Sequence, residues 1–221
     1  MKTTSPCTCL PHGWRLAAAA LSLTLVGGCG ALQQVVSPHP NYYSLAGGRN
    51  TAATAPPNTA VTAPTLIVSP PHAAAGFDSQ RIMYVRQANQ LEYFANNEWI
   101  DTPARMLAPL IVAAVESSGA FRAVVQTPSP AAGEMRLDTE IMRLQHEFVS
   151  TPSRVHFTLR AYLVESATRR VIASREFEAA VPTASEDPYG GVVAASRAVQ
   201  AVLEDLSHFC AEAARSARVE K

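Results

Sequence analysis

An apolar run that stops at a cysteine is the feature that most constrains this chain. Lys2 and Arg15 make the N-terminus positive, Leu16 to Val26 (LAAAALSLTLV) form an apolar stretch of 11 residues, and small Gly27 and Gly28 precede Cys29. This is the layout of a secretory signal, in which small residues admit a processing enzyme to the backbone. The stretch falls short of the ~20 residues that cross a bilayer as a helix, so residues 1–28 are expected to be removed. Cys7 and Cys9 leave with them. Export also puts the rest of the chain in an oxidising space, where disulfides would persist if the sequence offered pairs.

Leu25-Val26-Gly27-Gly28-Cys29 resembles the lipobox of bacterial lipoproteins. The resemblance implies that Cys29 becomes the first residue of the mature chain, with a diacylglycerol on its sulfur and an acyl chain on its nitrogen. No other cofactor is expected. At ~0.8 kcal/mol per buried methylene, several acyl chains hold a protein on a membrane. Gly30, standing where an Asp would signal retention, favours the outer membrane by resemblance to the enterobacterial sorting rule, with the domain facing the periplasm. With Cys29 acylated, Cys210 is left alone and no intramolecular disulfide can form. The fold must be held by its core. From Cys29 to Lys221 the chain has 193 residues, enough for one domain and a tether. Loss of Lys2 and Arg15 leaves 16 of the 18 basic residues against 18 acidic ones, a net charge of −2. With no basic stripe, this argues against a nucleic-acid partner.

Composition then separates a tether, 29–64, from a domain, 65–221. Residues 46–64 (AGGRNTAATAPPNTAVTAP) are too poor in apolar surface to offset their ordering entropy and read as a flexible or extended connector. Asn41-Tyr42-Tyr43-Ser44-Leu45 is an aromatic island within the tether, expected to dock near 42–45 as a short strand. Leu66-Ile67-Val68, Ile82 to Arg86 and Gln90 to Ala95 read as strands, with Asn96-Asn97 expected to close the last by turn chemistry. A helix is predicted from about Thr102 to Ser118, with Leu107, Leu110, Ile111, Ala114 and Val115 on one face. Pro109 requires this helix either to start near Arg105 or to kink. Phe121 to Val125 returns as a strand.

The C-terminal half reads as three strands and a long helix. Val155, Phe157, Leu159, Ala161 and Leu163 alternate with polar residues, which gives one buried and one wetter face. Val171, Ala173, Phe177, Ala179 and Val181 repeat the pattern. Residues 135–149 change parity, with Leu137 and Ile141 odd and Met142, Leu144 and Phe148 even. A strand of period two needs an inserted residue for that, so a β-bulge is predicted near Ile141-Met142. Asp187-Pro188 reads as N-cap and first helical position. The following stripe, Val192, Ala195, Ser196, Val199, Val202, Leu203, Leu206, Phe209, Cys210 and Ala213, puts Cys210 on the core side, with Arg197, Gln200, Glu204, Asp205 and Glu212 opposite. The sum is an α+β class: a two-layer sandwich of a mostly antiparallel sheet with two main helices.

Taken in order, the lipobox, Tyr42-Tyr43-Ser44-Leu45, Ile67-Val68-Ser69-Pro70, Asp78 to Arg86, Trp99 to Leu110 and the three-strand, closing-helix plan with Tyr189 resemble a known family. It is the ABC-type transport auxiliary lipoproteins, of the paraquat-inducible protein C type. The resemblance implies a non-catalytic, lipid-anchored periplasmic adaptor in an intermembrane transport system for lipids or hydrophobic compounds. It also implies an MCE-domain partner and self-association into a homo-oligomer.

No catalytic motif competes with this reading. The chain has no Gly-x-Ser-x-Gly elbow, His-Glu-x-x-His, Ser-x-x-Lys or phosphate-binding Gly-x-x-x-x-Gly-Lys loop. His146 and His156 flank a hairpin at Thr151-Pro152, but the predicted bulge puts them on opposite faces, so no metal site is expected. Glu186-Asp187 reads as a helix cap. Tyr42, Tyr43, Tyr84, Arg86, Tyr93 and Trp99 are the candidate surface for a partner or a second copy. The plainer reading has the tyrosines covering the sheet under a helix and Trp99 anchoring the core. A lipoprotein activator of a cell-wall synthase, a binding module of similar size, is the alternative function.

Overall fold

One 13-residue strand, β7 (Met135–Glu147), organises the sheet. The computed structural model describes residues 39–45 and 63–219. The signal segment, Cys29 and most of the predicted connector lie outside the described residues. Along one edge of β7 runs β8 (Arg154–Glu165), antiparallel over nearly its whole length. Along the other edge lie, in sequence order and all parallel to it, β2 (Thr65–Val68), β3 (His72–Ala73) and β4 (Arg81–Gln87). Pro70 and Pro71 cannot donate to a ladder, which breaks this neighbour into pieces. Backbone bonds bridge the breaks: Ser69 N donates to the Leu137 carbonyl at 2.9 Å and Ala74 N to that of Ile141 at 2.8 Å.

Beyond these pieces the sheet forks. β2 carries β6 (Ala123–Gln126), whereas β4 carries β5 (Gln90–Trp99), which in turn carries β1 (Asn41–Tyr43). On the far side β8 carries β9 (Val171–Pro182). The antiparallel ladders are the long ones and the parallel ladders span two to four residues each.

The bulge falls where the parity change predicts it. Ile141 pairs with Leu159 and Arg143 with Thr158, so Met142 is the inserted residue. Met135, Leu137, Thr139 and Ile141 are buried before it, and Leu144 and His146 after it. Two strands depart from expectation. β5 does not end at Asn96-Asn97 but continues to Trp99, because β1 supplies partners: Asn97 Oδ1 accepts from Tyr43 Oη at 3.1 Å and from Asn41 Nδ2 at 3.3 Å. In β9 a second irregularity pairs Leu163 with Ala173 but Val164 with Val171. It turns Val171 outward and lets Ile172 pack against the core. Phe121 precedes β6 and is buried in the core.

Helix α1 (Pro103–Ser117) starts at its first proline and continues through Pro109. Arg105 and Pro109 are both exposed, so the hydrogen bond that the proline cannot donate falls on the solvent side of the helix. Leu107, Ile111 and Val115 are fully buried. Helix α2 (Pro188–Val219) is capped by Asp187, whose Oδ1 accepts from Gly190 N at 2.6 Å. Its buried stripe, including Val199, Leu206, Phe209 and Cys210, packs on β7, β8, β9 and α1, while Arg197, Gln200, Glu204, Asp205 and Glu212 face solvent. Both helices therefore cover one face of the sheet.

Deleting Met142 would leave β7 in one continuous alternation, with Leu137, Ile141, Leu144 and His146 all still facing the helices. The deletion is therefore expected to keep a cooperative urea transition followed by circular dichroism. Loss of that transition would overturn Met142 as the inserted residue.

Candidate partner-binding surface

Because α1 and α2 lie over β6 to β9, strands β4, β5 and β1 form an arm of the sheet with two distinct faces. On the helix side, Trp99 and Ile82 are buried at the base of the arm. Past them lies an aromatic floor. The Tyr84 ring is 4.5 Å from Phe94 and 5.9 Å edge-on from Phe148, and His146 is 4.0 Å from Phe148. Tyr84 Oη donates to Glu92 Oε2 at 3.0 Å, and Glu92 also pairs with Arg86. Burial first, and the Glu92 hydrogen bond second, push the Tyr84 hydroxyl above its ordinary value. Tyr43 lies 6.4 Å from Tyr189, the second residue of α2.

The opposite face carries a different set. Register pairs Met83 with Tyr93, Arg81 with Glu98 and Tyr42 with Glu98, which puts these side chains on the side away from the helices. The Arg81 guanidinium stacks 4.1 Å above the Tyr93 ring. Tyr42 (55%), Tyr93 (47%) and Leu91 (42%) are exposed there, and Ile100 (55%) is exposed just past the end of β5.

The six residues nominated from sequence therefore do not form one surface. Tyr43, Tyr84 and Arg86 belong to the helix side, Tyr42 and Tyr93 to the outer side. Trp99 is corrected from surface to core: it is 3% exposed, and β1 pairing with Asn97 and Glu98 draws it under the start of α2. Sequence alone reveals the aromatic residues but not this division, which depends on register.

A buried polar network sits where the helix side meets the start of α2. His146 Nε2 lies 2.7 Å from Ser153 Oγ, which lies 2.7 Å from Thr183 Oγ1. Thr183 Oγ1 donates to the Ser153 carbonyl, so Ser153 Oγ donates to Thr183 and accepts from His146. That assigns the Nε2–H tautomer and leaves the buried Nδ1 without a partner among the described residues. Glu186 does not cap the helix as its sequence position promised. Its Oε1 accepts from Ser153 N at 2.9 Å, tying the β7–β8 hairpin to the approach to α2.

Ser153 and Thr183 were not legible as a pair, since each is one polar residue in a Ser/Thr/Pro loop. Ser153 is fully buried, so the trio is a clamp and not a nucleophile open to substrate. The cavity beside it, lined by Trp99, Leu144, His146 and Gly191, holds about 10 Å³, room for one water. His156 lies on the outer face between Glu147 and Glu178, at 3.6 and 3.5 Å from its two nitrogens, and does not converge with His146.

The family model for the ABC-type transport auxiliary lipoprotein component matches residues 43–207, from β1 into the last helix. The chain belongs to this family. It is thus a transport-associated, membrane-anchored lipoprotein of a family that is not catalytic. Among solved structures, XCC0632 of Xanthomonas campestris is similar over 72% of this chain and 89% of its own, at 25% identity and TM-score 0.66. An uncharacterized protein matches 78% of this chain and 99% of its own at 13% identity and TM-score 0.61, a likeness of fold. No protein of curated function matches.

In this lipoprotein the clamp makes stability depend on pH. Burial pulls the His146 pKa below the ordinary 6.5, with Glu186 and Asp187 opposing more weakly. Protonating Nδ1 would bury an N–H with no acceptor. The folded state therefore holds the proton less readily than the unfolded chain, so the contribution is complete above the unfolded value and is lost as pH falls below it. Acidification from about pH 7.5 to 5.5 is expected to lower the urea midpoint of the wild type more than that of His146→Gln. A Cβ on Gly191 would lie 2.6 Å from His146 Nδ1. Gly191→Ala is expected to cost ~1–3 kcal/mol through overpacking. A double-mutant cycle in urea should show that cost shrinking when His146→Ala removes the ring.

Proposed function

We propose that this lipoprotein is the adaptor or docking subunit of an ABC/MCE-type intermembrane transport system for lipids or hydrophobic compounds. Diacylglycerol and an N-acyl chain on Cys29 hold it to the outer membrane, facing the periplasm. An MCE-domain protein docks on it, and several copies associate into a homo-oligomer. The family match over residues 43–207 carries this reading. The lipobox supports the anchor, and the lack of a phosphate-binding loop in the sequence leaves energy supply to an ATPase on another chain. Tyr43 with Tyr189, and Tyr84 with Arg86, are the proposed contact points for the protein partner. They combine aromatic area with polar groups already held in place, so little side-chain freedom is lost on binding.

Crosslinking in the native bacterium, purification through a C-terminal tag and mass spectrometry test the proposal, with Cys29→Ser as the unanchored control. Capture of an MCE-domain protein that is lost in the control is the expected result. Capture of a cell-wall synthase without an MCE partner would overturn it.

A further inference from the structure

Among the described residues the outer face of the arm takes no part in the clamp or the proposed protein contact; Val85, opposite Leu91 in register, is buried on it, and the apolar side chains beyond stand exposed. Tyr42, Tyr93, Leu91 and Ile100 are four of the seven large apolar side chains that stand exposed among the described residues; register puts the first three on this one face, and Ile100 directly follows β5. The helices cover the opposite side of the sheet. Isolated exposed apolar residues need no explanation, whereas a clustered set marks a protein or a membrane contact.

Three observations select between these. First, the chain reaches the domain at β1, the strand that carries Tyr42. Only the 12 residues from Cys29 to Pro40 separate the acylated cysteine from it, a reach of at most ~40 Å when fully extended. The arm is therefore where the tether enters the domain. Second, the side chains are amphipathic at their tips. Tyrosine sits readily at a membrane–water boundary, and Arg81, stacked on Tyr93, can bury its stem while its charge stays in water. Third, Arg81 and Glu98 are register partners, so these two charges on the face offset each other.

We propose that the outer face of β1, β5 and β4, centred on Tyr42, Tyr93, Leu91 and Ile100, lies against a zwitterionic phospholipid surface. It would act as a second contact that fixes how the domain stands on the membrane. The proposal rests on the anchored reading and adds an orientation to it. With this face toward the bilayer, the helix layer points away from the membrane.

The full-length acylated chain, reconstituted in phosphatidylcholine vesicles, tests this directly. Cys29 is acylated in that protein. Cys210 is fully buried, with burial pushing its thiol up to about 12, so an introduced cysteine labels selectively. Tyr42→Cys, Tyr93→Cys and Ile100→Cys, with Glu204→Cys on the solvent face of α2 as reference, carry an environment-sensitive fluorophore. Vesicles containing doxyl-labelled phosphatidylcholine are expected to cause loss of emission at the three arm positions and none at 204, in low and high salt alike. A chain that fails to co-sediment with the vesicles overturns the anchored reading and this inference together. One that co-sediments with no loss at the arm overturns the inference alone. Labels shielded from aqueous iodide yet unquenched by doxyl lipid overturn it in favour of a second copy seated on the face.

Discussion

Side chains alternate across a β-strand with period two, and one inserted residue in β7 decides how that alternation is spent. Met142 lets Leu137 and Ile141 point toward the helices at one end while Leu144 and His146 do so at the other. Were Met142 paired regularly instead of bulged, β7 could satisfy β2 and β3 or β4 and the aromatic floor, but not both. β8 keeps one buried parity from Val155 to Leu163, and the bulge is what lets both halves of β7 pair with it. The arm formed by β4, β5 and β1 inherits its facing from the second half of β7, since Tyr84 is the register partner of His146. Which tyrosines look toward the helices and which look away is thus fixed some distance from the arm itself.

The clamp around Ser153 secures that geometry from the other layer. It joins β7 through His146, the end of β9 through Thr183 and the approach to α2 through Glu186. A hydrogen bond of this kind contributes modestly by itself, yet losing one partner of a buried group costs ~1–3 kcal/mol. The clamp is therefore better understood as fixing the position of α2 than as adding to its affinity for the sheet. Gly191 has the same role in steric form: only a residue without a side chain lets the helix approach the imidazole this closely.

Elements whose partners are already implied by their own pattern were legible in the sequence. The stripe of α2, the alternation of β8 and the parity change of β7 each record burial directly, because the buried face must be apolar wherever it lies. Asn96-Asn97 misleads for the opposite reason. Local turn chemistry is a property of two residues, whereas β1 supplies ladder and side-chain bonds from more than fifty residues away. Val171 misleads because the irregularity at Ile172 leaves no mark in a pattern of small and charged neighbours. At the candidate surface, composition identified the tyrosines correctly as unusual, but register, which composition does not carry, assigns them to two faces.

The outer face of the sheet is itself divided, and the division bears on how the domain meets its surroundings. Over β7 to β9 it carries paired charges: Arg143 with Glu178, Arg160 with Glu176 and Arg136 with Asp138. Exposed pairs of this sort contribute only ~0–1 kcal/mol each, so stability is not what they supply. They border β9, a 12-residue strand with no partner on its far edge among the described residues, and charge there discourages chance pairing with another sheet. Over β5 and β1 the charges give way to Tyr93, Ile100 and Tyr42. A sheet that repels contact at one end and invites it at the other restricts the orientations in which the domain can meet its surroundings. For a transport-associated lipoprotein, that restriction sets which face of the domain is available for contact.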